Sequence, residues 1–136
     1  MSLEYSPKNN PRVIVIQKLY GKFFNKDENI TFPKHRFKKF IKDVVNGTIE
    51  RKEVINELID KELKDDVNEN KTETIIKIML MAAVYEFMFM HKTPIKVIIS
   101  EYIKVSEFFI DSSKVSYLNA ILDKISRKSR ITDGWI

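Results

Sequence analysis

The sequence predicts an all-α protein, a single domain of helices, and three observations carry that expectation. Glycine stands only at 21, 47 and 134 and proline only at 7, 11, 33 and 94, too few to punctuate the turns of a β-rich fold. Apolar residues recur at helical rather than alternating spacing along most of the 136-residue chain. Cysteine is absent, which removes disulfides, thiolate nucleophiles and thiolate metal sites as sources of structure or chemistry. A chain of this length can bury roughly two thirds of its unfolded surface in one core.

Six helices follow in order. The first runs from Pro11 to about Phe24, with Ile16, Leu19, Tyr20 and Phe23 as its inward stripe. After a loop through Asn25 to Ile30, Thr31 and Pro33 open a second helix whose inward face is Phe37, Phe40, Ile41, Val44 and Val45. Gly47 either ends this helix or admits a neighbouring helix closely, and the sequence leaves both open. A third helix turns Val54, Ile55, Leu58, Ile59 and Leu63 inward and presents an acidic outer face. The polar run from Lys64 to Lys71 then separates two helical subdomains, residues 11–64 and 72–126.

Thr72 begins a fourth helix that is apolar nearly all round, with Lys77, Tyr85 and Glu86 as exceptions, and such a helix belongs at the centre of a fold. Thr93 as cap and Pro94 at the first helical position start a fifth, reaching about Phe109. The sixth spans about Ser113 to Ile125, with Arg127, Lys128 and Arg130 as a basic tail. On it stands Asn119, a polar amide beside Leu118, Ile121 and Leu122 that periodicity does not explain.

Charge is unevenly distributed, and that matters more than the net of +5. Residues 8–42 hold ten Lys or Arg against Asp27 and Glu28, whereas residues 43–73 hold five basic and ten acidic side chains, so a basic and an acidic region are expected. The basic one suits a polyanion, and the acidic one would orient it. A solvated helix face is the alternative reading of either run.

Enzyme chemistry finds little footing. His35 and His91 sit at no metal-ligand or nucleophile–base spacing, and end-capping or surface roles suit them better. No glycine-rich phosphate loop is present, so neither catalytic activity, cofactor nor metal is expected. The longest apolar run, Ile78 to Tyr85, is too short to cross a bilayer, and Met1 to Pro11 carries no signal-peptide pattern, so the expected location is the cytoplasm. Recognition of single-stranded RNA needs aromatics to stack bases, amides for base edges and cations for phosphates. Arg12, Gln17, Lys18 and Lys22 on the first helix, with Tyr117 and Asn119 on the sixth, supply those groups. A core-rim role for Tyr117 and a backbone-bonding role for Asn119 are the alternatives, and a helical DNA-binding regulator with its basic second helix in a groove is another.

Several segments resemble the NusB family of bacterial transcription antitermination factors. Pro94-Ile95-Lys96-Val97, Ile99-Ser100-Glu101 and Ser116-Tyr117-Leu118-Asn119-Ala120-Ile121-Leu122-Asp123-Lys124 match its C-terminal signature without a gap. Leu80-Met81-Ala82-Ala83-Val84-Tyr85-Glu86-Phe87 is similar to its fourth-helix run, and Gln17-Lys18-Leu19-Tyr20 to its first helix. The resemblance implies a non-enzymatic fold of two helical subdomains that binds boxA-type single-stranded RNA of ribosomal RNA transcripts. It implies a ribosomal-protein partner, NusE, and a place in an RNA polymerase antitermination complex. By position, Lys8, Arg12, Tyr117 and Asn119 would face RNA, while Tyr20 and Glu86 would lie toward NusE; Lys114, just ahead of the sixth helix, is a further candidate for RNA contact. Relatives also self-associate through the partner surface, so a homodimer is compatible with the unbound chain, and a NusE-binding protein without RNA affinity is a further alternative. Four features depart from the family pattern: the arginine cluster is thinned to Lys8 and Arg12, Met81 replaces a fourth-helix arginine, Ser113 stands where an aspartate is frequent, and Ala120 replaces a glycine.

Overall fold

A computed structural model describes residues 9–27, 29–63 and 73–130. Lys8, the Lys64–Lys71 run and Thr72 therefore lie outside the described residues. Six α-helices follow one another: α1 (Pro11–Phe24), α2 (Lys38–Glu50), α3 (Lys52–Leu63), α4 (Thr74–Phe89), α5 (Ile95–Ser106) and α6 (Val115–Ser129). A short 3-10 turn, Ser112–Lys114, leads into α6, and no strand occurs among the described residues.

α4 sits at the centre and packs against each of the other five helices. Its sequence requires this, since a helix with Ile76, Ile78, Met79, Leu80, Ala82, Ala83, Val84 and Phe87 all buried has no apolar stripe to confine to one side. Around it, Ile16 of α1, Ile41 of α2, Ile55 of α3, Ile98 of α5 and Leu118 of α6 join one core cluster. α1 is buried on several faces where it enters this cluster, at Val13, Ile14, Val15 and Ile16, and emerges toward its C-terminal end.

The helix boundaries differ from the sequence expectation at two starts and one end. α2 begins at Lys38, not near Thr31, because His35 caps it: the Phe37 N–H donates to His35 Nδ1 at 2.9 Å. With Nδ1 accepting, Nε2 carries the proton and donates to the Asn9 carbonyl at 3.0 Å, which ties the loop to the start of α1. Phe37 accordingly precedes the helix and is exposed rather than inward. α5 begins one residue later than expected, with Pro94 itself as the cap in extended conformation and its carbonyl accepting from Ile98 N–H at 3.1 Å. α6 runs on to Ser129, and Arg130 folds back to donate to the Phe87 and Met90 carbonyls at the end of α4, at 2.6 and 3.0 Å. The basic tail thus closes a helix terminus, where a cation is favoured. Val54, Tyr20 and Phe23, expected inward, are exposed at 41%, 40% and 53%.

Gly47 is settled by packing. α2 continues through it to Glu50, and a Cβ at that position would fall inside the Tyr85 ring of α4. The glycine is there to let two helices approach.

Candidate functional site

The first-helix cation expected to face RNA turns inward instead. The Arg12 guanidinium makes a two-point contact with the Glu86 carboxylate, Nε to Oε2 at 2.9 Å and Nη2 to Oε1 at 2.7 Å. Tyr102 donates its hydroxyl to the same Oε2 at 2.5 Å. The guanidinium lies over the Phe40 ring at 4.8 Å, and Asn10 caps α1 by accepting from the Arg12 N–H at 2.9 Å. Glu86 has no exposed side-chain surface and Arg12 only 12%. Neither expected role fits this placement: Glu86 cannot touch a partner from here, and Arg12 has committed its fork to a buried carboxylate. The reason is desolvation, since an unpaired charge at Glu86 in the core would cost far more than the pair does. Burial works against the Arg12 charge, yet the Glu86 hydrogen bond and nearby charge hold its pKa raised overall. Burial, then Glu86, push the Tyr102 hydroxyl well above the ordinary tyrosine range.

The remaining α1 candidates do come together. Gln17, Lys18 and Lys22 line a shallow hollow of about 200 Å3 with Gly21, Asn29, Ile30 and Thr31. Gly21 helps form it, because nothing lies within 4 Å of where its Cβ would be. Lys22 also donates to the Lys26 carbonyl just past the end of α1. Tyr20 is exposed and forms an aromatic cluster with Phe23 and Phe24, with ring centroids 4.8 Å (Tyr20 to Phe24) and 5.2 Å (Phe23 to Phe24) apart. Phe24 was not singled out by sequence reasoning; its position at the last turn, beyond the buried stripe, is the signal that could have found it.

On α6 the candidates separate. Tyr117 and Asn119, two residues apart, point about 200° apart around the helix axis and flank the buried Leu118. Tyr117 is half-buried against the core, while Asn119 is exposed and shares an open hollow of about 500 Å3 with Lys96, Ser100 and Asp123. Lys96, which the sequence offered only as part of a matched motif, is therefore a cation placed beside that amide. Lys114 pairs with Glu73 at 2.6 Å, in a hollow that also contains Glu107 and Asp111, so its charge is countered locally. The α1 hollow and the Asn119 hollow share no lining residue. No group of three His, Cys, Asp or Glu placed to hold a metal occurs among the described residues, nor any helix long and apolar enough to cross a membrane.

The NusB family model matches residues 9–127. The chain belongs to the NusB family. Proteins named transcription antitermination protein NusB from Bradyrhizobium diazoefficiens and Mesorhizobium japonicum are 33% identical over 91 residues and 29% identical over 92. Those matches cover 67% and 68% of this chain but 55% and 59% of the relatives, so the chain spans little more than half of their length. Among solved structures, T. maritima NusB shares the fold with a TM-score of 0.74 at 22% identity, over 91% of this chain and 93% of that one. Within this NusB-family fold, three of the departures from the family pattern are placed as follows: Ala120 is exposed beside Asn119, Ser113 is exposed in the 3-10 turn, and Met81 is half-buried on α4.

Proposed function

We propose that the protein is a transcription antitermination factor that binds boxA-type single-stranded RNA of ribosomal RNA transcripts together with NusE, within an RNA polymerase complex that reads through terminators. The family match across residues 9–127 carries this reading. It is supported by two polar, cation-bearing hollows, Gln17–Lys18–Lys22 on α1 and Asn119–Lys96 on α6 and α5, which pair amides with lysines as RNA readout requires. The exposed Tyr20–Phe23–Phe24 cluster is the surface suited to the protein partner, because exposed contiguous aromatics mark interfaces. Arg12 and Glu86 hold α1, α4 and α5 in register beneath these surfaces.

Fluorescence anisotropy with a boxA-type RNA, with and without NusE, tests the reading. Lys18→Ala and Lys22→Ala should each flatten the log–log salt dependence of binding by about 0.7, and Asn119→Ala or Tyr117→Ala should cost roughly 1–3 kcal/mol. Preference for duplex DNA over the RNA would favour a DNA-binding regulator instead. A NusE complex with no RNA affinity in any state would favour a ribosome-associated protein.

A further inference from the structure

Where α1, α2, α3 and α4 meet, Leu19 and Phe23, Ile49, and Ile78 and Met81 line an apolar groove of about 350 Å3. Two features separate it from an ordinary packing gap. Thr48 Oγ1 and Asn56 Oδ1, both on lining residues, are buried and find no hydrogen-bond partner among the described residues. Buried polar atoms are nearly always paired, and each exception asks for a cause. The groove's lining also carries Lys22, Lys26 and Lys52 and, among the described residues, no carboxylate. An apolar floor flanked by three cations describes the complement of a specific chemistry.

We propose that this groove docks an acidic segment of a partner protein, with one large apolar side chain in the groove and acidic residues on either side. The apolar anchor would cover Leu19, Ile78 and Met81. Flanking Asp or Glu side chains would meet the lysines, which would both speed encounter and fix the direction of the chain. A protein segment suits the site better than a small molecule, because the groove continues through Phe23 onto the exposed Tyr20–Phe24 surface. Met81, at the position where the family pattern has arginine, keeps the floor apolar in this chain. The docking does not depend on RNA binding, and shares with it only Lys22.

Selection from a random-peptide display library on the purified full chain, followed by calorimetric titration of the selected peptide, tests this. Peptides with an aromatic or large aliphatic residue between acidic residues should be enriched. Lys26→Glu with Lys52→Glu, and separately Met81→Trp to fill the groove, should each weaken the peptide by roughly tenfold or more, the effect of losing one good polar or apolar contact. Asn56→Leu should raise the Tm of the free protein, since it removes an unpaired buried amide. Enrichment of basic or charge-free peptides, no enrichment, or peptides that bind the filled and charge-reversed variants as well as the native chain would each overturn the proposal. RNA affinity measured on the same variants separates a failed groove from a failed RNA reading, because Lys26, Lys52 and Asn56 line neither hollow assigned to RNA.

Discussion

The Arg12–Glu86–Tyr102 cluster and the groove at Thr48 and Asn56 both place polar groups inside an apolar fold, but they are finished differently. In the cluster the buried carboxylate has three donors on it and a guanidinium against an aromatic face. In the groove two polar atoms are buried with no partner among the described residues. A closed network of this kind locks helices together, because opening any member strands the others at low dielectric. An unfinished one costs stability in the free protein. The contrast assigns the strongest charges in the chain's interior to architecture and leaves recognition to the surfaces around them.

Breaking the closed cluster should have the largest effect. Arg12→Ala leaves the Glu86 carboxylate buried without its cation and is expected to destabilise the protein by about 3–5 kcal/mol in urea denaturation. A loss of RNA affinity in that variant would then follow from unfolding rather than from a lost phosphate contact. Gly47→Ala comes next. Its Cβ meets the Tyr85 ring one turn along α4 from Met81, so the α2–α4 approach must widen at a cost of about 1–3 kcal/mol. Thermal unfolding should report it, and a neutral result would mean that Tyr85 swings aside freely.

Tyr102→Phe removes one donor from Glu86 and should cost about 1–2 kcal/mol at neutral pH. It also has a pH signature. Because the Tyr102 pKa is raised in the folded state, chiefly by burial and then by Glu86, its contribution is fully present below the unfolded value of about 10 and is lost as pH rises through the folded one. The native protein should therefore lose stability above about pH 10 more steeply than Tyr102→Phe does, which denaturation across that range would resolve. The smallest change lies on the open side: Thr48→Val removes an unpaired buried hydroxyl and should stabilise the free protein by up to about 1 kcal/mol. A clear destabilisation would show that the hydroxyl is already satisfied, and would erase the contrast at that residue.

Local structure was far more legible in the sequence than these pairings. α1 spans Pro11–Phe24 as the proline, the capping asparagine and the apolar spacing require, and the all-round apolar α4 is central as its composition demands. Gly47 was readable as a choice between two roles but not as one of them, because the deciding ring, Tyr85, comes from another helix. The Arg12–Glu86 pair joins residues 74 apart, and no local pattern marks an arginine that will be buried. Family position pointed both residues outward, whereas the packing of α1 against α4 and α5 turned them inward. Asn119 does not break the helix pattern after all: the buried Leu118, Ile121, Leu122 and Ile125 recur at helical spacing and leave position 119 on the exposed face. Its neighbour Lys96 was not legible as such, since only the packing of α5 on α6 brings the two into one hollow.

The most direct test compares Arg12→Ala with the double variant Arg12→Met, Glu86→Leu, following both stability and affinity for a boxA-type RNA in the presence of NusE. Removing both charges together leaves no stranded carboxylate and only the Tyr102 hydroxyl without its acceptor, so the double variant should recover part of the stability lost in the single one and bind RNA like the native chain. A double variant that folds as stably as the native protein yet loses RNA binding would contradict the account, and would return Arg12 to the recognition surface.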